Sequence, residues 1–323
     1  MTLRTAAVIG AGLAGLACAR TLADAGVAVS VFDKGRAAGG RLATRRVETE
    51  ARLRLGFDHG AQYLTAKGAG FGAVLAAHAV PWPSVTDRAG AFVGSPGMSA
   101  LPRALAAGLS LSPSRTVVAV DRVGEGWLVR HHEGDLVRGP APAAPPDAAG
   151  PFDAVAIAVP HPQAMPLLPV ALATRLAPVT VAPCWALLAA FAAPLAAPDT
   201  LRPEAGAIVW AARDSAKPGR TAEAECWVAH AGPGWTREHL ERKPDEVAAL
   251  LLASLASLAG GLPPVLHAAA HRWRYALVEV PLGEPCLVDT ALRIGAAGDW
   301  CLGSRAEHAW DSGAALAEAL LAP

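Results

Sequence analysis

The chain is short of charge. Only 17% of its 323 residues are Asp, Glu, Lys or Arg, and the 28 basic and 28 acidic residues cancel. Without net charge or a basic run there is no electrostatic footprint for nucleic acid or an anionic membrane surface, so neither is expected as a partner. Cysteine is scarce: five residues, at 18, 184, 226, 286 and 301, an odd number with no C-x-x-C pair. Neither a disulfide framework nor a metal site follows, and a cytoplasmic location is the simplest expectation. Only two tyrosines occur, Tyr63 and Tyr275, against nine tryptophans. Unbroken apolar runs of membrane length are missing too. Residues 177–198 carry no charge, but Pro178, Pro183 and Pro194 leave only Cys184–Ala193 uninterrupted, which suits a strand or core segment. Residues 1–23 imitate a secretory leader, yet their glycine phasing reads better as strand, turn and helix. No patch calls for an obligate protein partner.

What is present is apolar and glycine-rich. A hydrophobic content of 53% supports a sizeable core in one large or two interleaved domains. Thr5–Ile9 is a short apolar run suited to a buried parallel strand, Leu13–Ala25 reads as a helix stopped by Gly26, and Ala28–Phe32 as a second strand. Between them, Gly10, Gly12 and Gly15 fit G-x-G-x-x-G. The first permits the tight turn, the second a close approach of backbone to a pyrophosphate, the third close helix–strand packing. The N–H groups around Leu13 and Ala14, at the positive end of the helix, then face phosphate. Asp33, 23 residues after Gly10, stands where a carboxylate accepts from ribose hydroxyls. Three spaced glycines alone are weak evidence; the strand–helix–strand context makes the match informative.

Two further signals narrow the ligand. The segment Gly35–Arg46 follows Asp33 and Lys34, and its Gly39, Gly40 and Arg41, with Arg45 and Arg46 beyond, form a cradle of N–H donors and cations for a pyrophosphate. Near the other end, Gly298-Asp299 closes an apolar strand, where the carboxylate suits a ribityl or ribose hydroxyl. A following helix can aim its N-terminus at an electron-rich pyrimidine. The three signals together indicate FAD rather than NAD as the resident cofactor. Cys301 beside Asp299 raises covalent attachment, but non-covalent FAD is expected.

Along the rest of the chain, Trp127–His132 and Leu136–Arg138 look like a hairpin, 139–151 is a proline-rich loop, and Phe152–Pro160 is a buried strand. Strand-like runs at Ala182–Phe191, Ala205–Ala211, Glu225–His230 and His271–Tyr275 accompany a helix over Pro244–Leu258. From Leu292 the pattern returns to strand, then a helix over Asp311–Leu321. The fold class expected is α/β with an α+β second domain: a Rossmann-like FAD-binding domain (1–67, 93–160 and 286–323) interleaved with a sheet-containing substrate domain (68–92 and 161–285).

These signals resemble the FAD-dependent amine oxidase superfamily, with its p-hydroxybenzoate-hydroxylase-like fold. More narrowly, Phe57-Asp-His-Gly-Ala-Gln-Tyr63, Gly97-Met-Ser-Ala-Leu-Pro102, Ala182-Pro-Cys-Trp185, Trp210-Ala-Ala-Arg-Asp-Ser-Ala-Lys-Pro-Gly219, His271-Arg-Trp-Arg-Tyr-Ala276 and Ala297-Gly-Asp-Trp-Cys-Leu302 resemble bacterial renalases. That resemblance implies an oxidase acting on misreduced nicotinamide dinucleotides, the 2- and 6-dihydro isomers of NAD(P)H. Hydride passes to flavin N5, O2 takes the electrons, and H2O2 and NAD(P)+ leave. It also implies that His59, Gly60, Ala61, Gln62 and Tyr63 lie beside the flavin, with His230 near it. Such chemistry asks for orientation rather than a general base, since the dihydropyridine becomes aromatic on losing hydride. His59, Gln62, Tyr63 and His230 are the catalytic candidates. Trp185, Trp210 and Trp300 are candidates for the substrate pocket, since indole faces stack on planar cations. Arg213, after an apolar strand and before a Pro-Gly loop, is the candidate for a substrate phosphate, within a basic loop that includes Lys217 and Arg220. The alternatives are an FAD-dependent amine oxidase or desaturase on another small reduced substrate, or a non-catalytic binder that keeps the fold. Two tyrosines are few for the aromatic frame that amine oxidases of this superfamily place around an amine.

Overall fold

A computed structural model describes residues 2–85, 90–134, 144–220 and 223–322. The chain divides into two compact units: Met1–Gly40 with Pro102–Thr180 and Val278–Pro323, and Arg41–Leu101 with Val181–Leu277.

The first unit is built on a six-stranded sheet ordered Leu287–Asp289, Ile294–Ala296, Ala154–Ile157, Thr5–Ile9, Ala28–Phe32, Ser110–Ser112. All neighbours run parallel except the antiparallel pair at the Leu287–Asp289 edge. The central strands Thr5–Ile9 and Ala154–Ile157 are buried on both faces, which is why they read as continuous apolar runs. Leu13–Asp24 and Ala306–Leu321 pack together tightly, and a Cβ on Gly313 would overlap the carbonyl of Ala14. A second apolar cluster joins Ala7, Ile9, Val155 and Ile157 to Trp127, Val129, Phe152, Leu167, Leu172 and Leu176. Three of these belong to an antiparallel sheet of Arg115–Val123, Gly126–Glu133 and Asp147–Phe152.

The second unit carries a five-stranded sheet ordered Thr200–Leu201, Ile208–Arg213, Glu225–Ala231, Thr180–Phe191, Val265–Val280. Alternation along the strands sends Trp185, Leu187, Ala189 and Phe191 to one face. There they meet Val247, Ala248, Leu251 and Leu255 of the helix Pro244–Ala259. Ala186, Leu188, Ala190 and Val228 take the other face, against Leu55 and Phe57 of the hairpin Thr44–Glu48/Arg54–Asp58.

Several boundaries differ from the sequence expectation. The hairpin at 44–58 packs with the second unit because its inward Leu55 and Phe57 have the sheet at Ala186 and Val228 as their hydrophobic partner. Residues 161–180 join the first unit, where Leu172 and Leu176 are buried. The partner of Trp127–His132 is Arg115–Val123, joined by a tight turn, and the end of the expected loop, Asp147–Phe152, adds the third strand. Leu136–Arg138 lies outside the described residues. The last helix starts at Ala306 rather than Asp311 and ends at Leu321. No described helix is long and apolar enough to cross a membrane, and no described group of His, Cys, Asp and Glu could hold a metal ion.

Candidate functional site

In the first unit the glycine turn is assembled from strand end to helix start. Gly10 adopts φ +106°, a left-handed region that a side chain resists, and its N–H donates to the Phe32 carbonyl at 2.7 Å. A Cβ on Gly15 would overlap the Gly10 carbonyl, so that position is fixed by packing. Gly12 is different. It begins the helix without a side-chain cap, and a Cβ there would meet nothing within 4 Å. The first N–H groups of a helix have no intrahelical acceptor, so Leu13, Ala14 and Gly15 present donors beside the open space over Gly12.

Asp33 ties this turn to the next loop. One carboxylate oxygen accepts from Ala11 N–H at 2.6 Å and the other from Gly35 N–H at 2.6 Å. A carboxylate accepts about four bonds, so this scaffolding is compatible with further bonds to ribose hydroxyls. Gly39 N–H donates to the Ala11 carbonyl at 2.9 Å, and Gly40 lies against Gly12. Lys34 follows Asp33 and is half-buried. At the far end of the unit Gly298 N–H donates to Ser312 Oγ at 3.1 Å, and a Cβ on Gly298 would overlap the Trp300 indole. Asp299 is buried and its carbonyl closes a short turn by accepting from Leu302 and Gly303 N–H. The open cradle over Gly12, with donors and no side chain, fits a dinucleotide pyrophosphate. Cys301 is buried, which pushes its thiol up to about 12, so it is no thiolate for attachment. Acid precipitation should therefore release all of the flavin; colour retained in the pellet would contradict this.

In the second unit the Phe57–Tyr63 segment is clamped from several sides. Ala61 N–H donates to the Arg41 carbonyl at 2.9 Å, and a Cβ on Gly60 would overlap that carbonyl. Arg41 itself donates to Ala276 O at 2.8 Å. The His59 carbonyl accepts from Trp273 Nε1 at 2.9 Å and His230 Nε2 at 3.2 Å. His59 Nδ1 donates to Ala43 O at 3.1 Å, and the ring stands edge-on to His271, centroids 4.6 Å apart. Burial, chiefly, holds both His59 and His230 down to about 4, so each is neutral.

Beneath the segment lies a buried ion network. Lys217 Nζ reaches Asp214 at 2.6 Å, Gln62 Oε1 at 3.3 Å and Asp58 at 3.5 Å, while Arg220 pairs with Asp58. Thr44 Oγ1 and Met98 N–H donate to Asp58 at 2.6 and 2.9 Å. Burial alone would raise Asp58, but Lys217 and Arg220 outweigh it and hold the carboxyl below its ordinary range. Asp214, fully enclosed, is pushed up by burial against the pull of Lys217. Gln62 spends its amide on the protein: Nε2 donates to the carbonyls of Asp58 and Gly60.

Four candidates come together. Trp210 and His230 are directly opposed on neighbouring antiparallel strands, which puts their side chains on one face, beside a register shift between Ile208 and Trp210. Tyr63 meets Trp210 at 5.7 Å between centroids, and His59 is bonded to His230 as above. Trp185 goes elsewhere: it is a core residue on the helix-covered face, its indole donating to His239 O at 3.1 Å. Trp300 is likewise a core residue of its own unit, donating to Val159 O at 3.0 Å.

Arg213, expected to meet a substrate phosphate, is committed within the sheet. It pairs with Glu225, approaches Asp199 at 2.9 Å and donates to Leu195 O and Ala197 O at 3.1 and 2.7 Å. Lys217, read as part of the same basic loop, is 2% exposed. Sequence reading passed over Asp58, Asp214 and the ion network. The signal was there in a chain so poor in charge: Asp58 sits in an apolar strand end, and Asp214 and Lys217 are three apart in a tight turn.

Residues 8–70 match an NAD(P)-binding Rossmann-like domain, and residues 81–321 match the flavin-containing amine oxidoreductases. A similar solved structure is that of a protein described as a candidate protoporphyrinogen oxidase from Exiguobacterium sp. 255-15. The two superpose with a TM-score of 0.73 over 99% of each chain at 12% identity, a likeness of fold.

Proposed function

Since the chain belongs to the flavin-containing amine oxidoreductases, and is thereby an FAD-dependent oxidoreductase, we propose that it oxidises misreduced dihydro isomers of NAD(P)H. FAD, when bound, would supply a two-electron acceptor that O2 can reoxidise, and the overall reaction would convert dihydro isomer, O2 and a proton to NAD(P)+ and H2O2. Gly10, Gly12, Gly15, Asp33, Gly39, Gly40, Gly298 and Asp299 would hold it in the first unit.

The observation that carries the substrate reading is the state of the ionisable groups around Phe57–Tyr63. An ammonium substrate must shed a proton before hydride can leave, and that asks for a base poised near the working pH. Asp58 and Asp214 are enclosed with Lys217 and Arg220. His59 and His230, at about 4, are poor bases at neutrality. A dihydropyridine needs no such base. It needs a rigid slot, which the clamped His59 carbonyl, His230, Tyr63 and Trp210 supply. Trp185, Trp300 and Arg213 are left out of this role by their core and sheet contacts.

The reading has a pH signature. With His59 and His230 both held down to about 4, neither changes charge near neutrality, and the limiting rate of flavin bleaching by borohydride-treated NAD+ should be flat between about pH 6 and 8. A rate that climbs tenfold across that range would reveal a base and favour an amine substrate.

A further inference from the structure

Several tryptophans of this chain spend their indole N–H on a backbone carbonyl. Trp185 Nε1 donates to His239 O, Trp273 Nε1 to His59 O and Trp300 Nε1 to Val159 O, at 3.1, 2.9 and 3.0 Å. Trp82 and Trp210 do not: each holds a buried Nε1 without a hydrogen-bond partner. Trp82 lies against the enclosed Lys217 ammonium, 5.4 Å from its ring centroid. Trp210 is 7% exposed and stands on the sheet face that it shares with His230. Its ring is held in place, with the Arg202 guanidinium carbon 4.3 Å and the Tyr63 ring 5.7 Å from its centroid. Its N–H is a fixed donor among the residues of the proposed slot. A buried donor left unpaired costs free energy that an acceptor on a ligand would relieve.

His230 supplies the opposite function. Its Nε2 carries the hydrogen, because the His59 carbonyl at 3.2 Å can only accept. Burial, chiefly, keeps the ring neutral at neutrality, so Nδ1 is an acceptor. Trp210 and His230 are directly opposed across two antiparallel strands, which sets a donor-only group and an acceptor side by side. A primary carboxamide is their complement, since its oxygen accepts and its NH2 donates. An ammonium has hydrogens but no lone pair, and leaves the indole N–H unpaired.

We propose that Trp210 Nε1 and His230 Nδ1 are the specificity determinants that receive the carboxamide of the substrate's nicotinamide ring. The proposal rests on the dihydro-NAD(P) reading and deepens it. The carboxamide is the group by which this site would separate that substrate class from amines.

The test titrates oxidised, FAD-loaded wild type and Trp210→Phe calorimetrically with NAD+ and two analogues. One carries an acetyl group in place of the carboxamide, which keeps the acceptor and loses the NH2. The other carries a methyl group and has neither. Wild type should bind the acetyl form about tenfold tighter than the methyl form, and NAD+ about threefold tighter again. In Trp210→Phe the acetyl-over-methyl preference should vanish, while NAD+ keeps its advantage over the acetyl form. Such ratios cancel a general loss of packing at position 210. A wild type that binds all three alike, or none, overturns the pairing, as does an intact acetyl-over-methyl preference in Trp210→Phe. Should Trp210→Phe not fold, the wild-type series decides. Anaerobic bleaching by borohydride-treated NAD+ is read in parallel. A wild type that shows the affinity series without bleaching loses the oxidase reading and keeps the carboxamide site. One that bleaches with a flat series keeps the oxidase reading and loses the site.

Discussion

Replacing Lys217 with Met should destabilise the second unit by about 3–5 kcal/mol, enough to leave much of the protein unfolded at 37 °C. Lys217 is 2% exposed, and its ammonium reaches Asp214, Asp58 and the Gln62 carbonyl oxygen. Removing it strands two enclosed carboxylates with Arg220 as their one remaining cation among the described residues. The loss is one of an uncompensated buried charge, not of a strong bond, so it should be reversible by a second change. Lys217→Met/Asp214→Asn removes a charge of each sign and should recover more than half of the deficit in urea unfolding. A single variant within about 1 kcal/mol of wild type would show that the network does not hold the Phe57–Tyr63 segment. Gln62 would lose the acceptor's partner that sets its amide, so the single variant should also bleach more slowly in whatever fraction stays folded.

Gly12→Ala should abolish stable FAD binding without harming the fold. The added methyl meets no protein atom within 4 Å, and a capping glycine replaced by alanine costs only a few tenths to about 1 kcal/mol. It does fill the space over the first N–H groups of the helix, the place proposed for the pyrophosphate. The variant should purify colourless, with a melting transition close to that of wild-type apoprotein and FAD affinity down by about a hundredfold or more. Gly15→Ala is the control with the opposite signature, since its Cβ would overlap the Gly10 carbonyl and the apoprotein itself should be destabilised. A yellow Gly12→Ala protein with wild-type affinity would remove the cofactor from this turn.

The nucleotide half was legible in the sequence because backbone geometry demands particular residues at fixed spacing. Gly10, Gly15 and Asp33 stand where a left-handed turn, a close helix–strand approach and a paired acceptor are required, so their spacing reads as a pattern. The parallel strands were legible for a related reason: burial on both faces leaves unbroken runs such as Ala154–Ile157. The second unit was harder to read. Its cations look alike in sequence, and only tertiary placement separates the enclosed Lys217, the sheet-bound Arg213 and the exposed Arg202. Tryptophans were misjudged similarly, since strand alternation sends Trp185 to the helix face and Trp210 to the other. Nor does any local signal tell the hairpin at 44–58 which unit to join, since that choice depends on a sheet beginning more than a hundred residues later.

The central claim, oxidation of misreduced dihydro-NAD(P), is tested most directly by mixing the yellow protein without oxygen against three reductants. Borohydride-treated NAD+ should bleach the flavin within seconds and yield NAD+, while ordinary NADH and a panel of primary and secondary amines leave it yellow. Bleaching by amines alone, with the isomer mixture inert, would contradict the account.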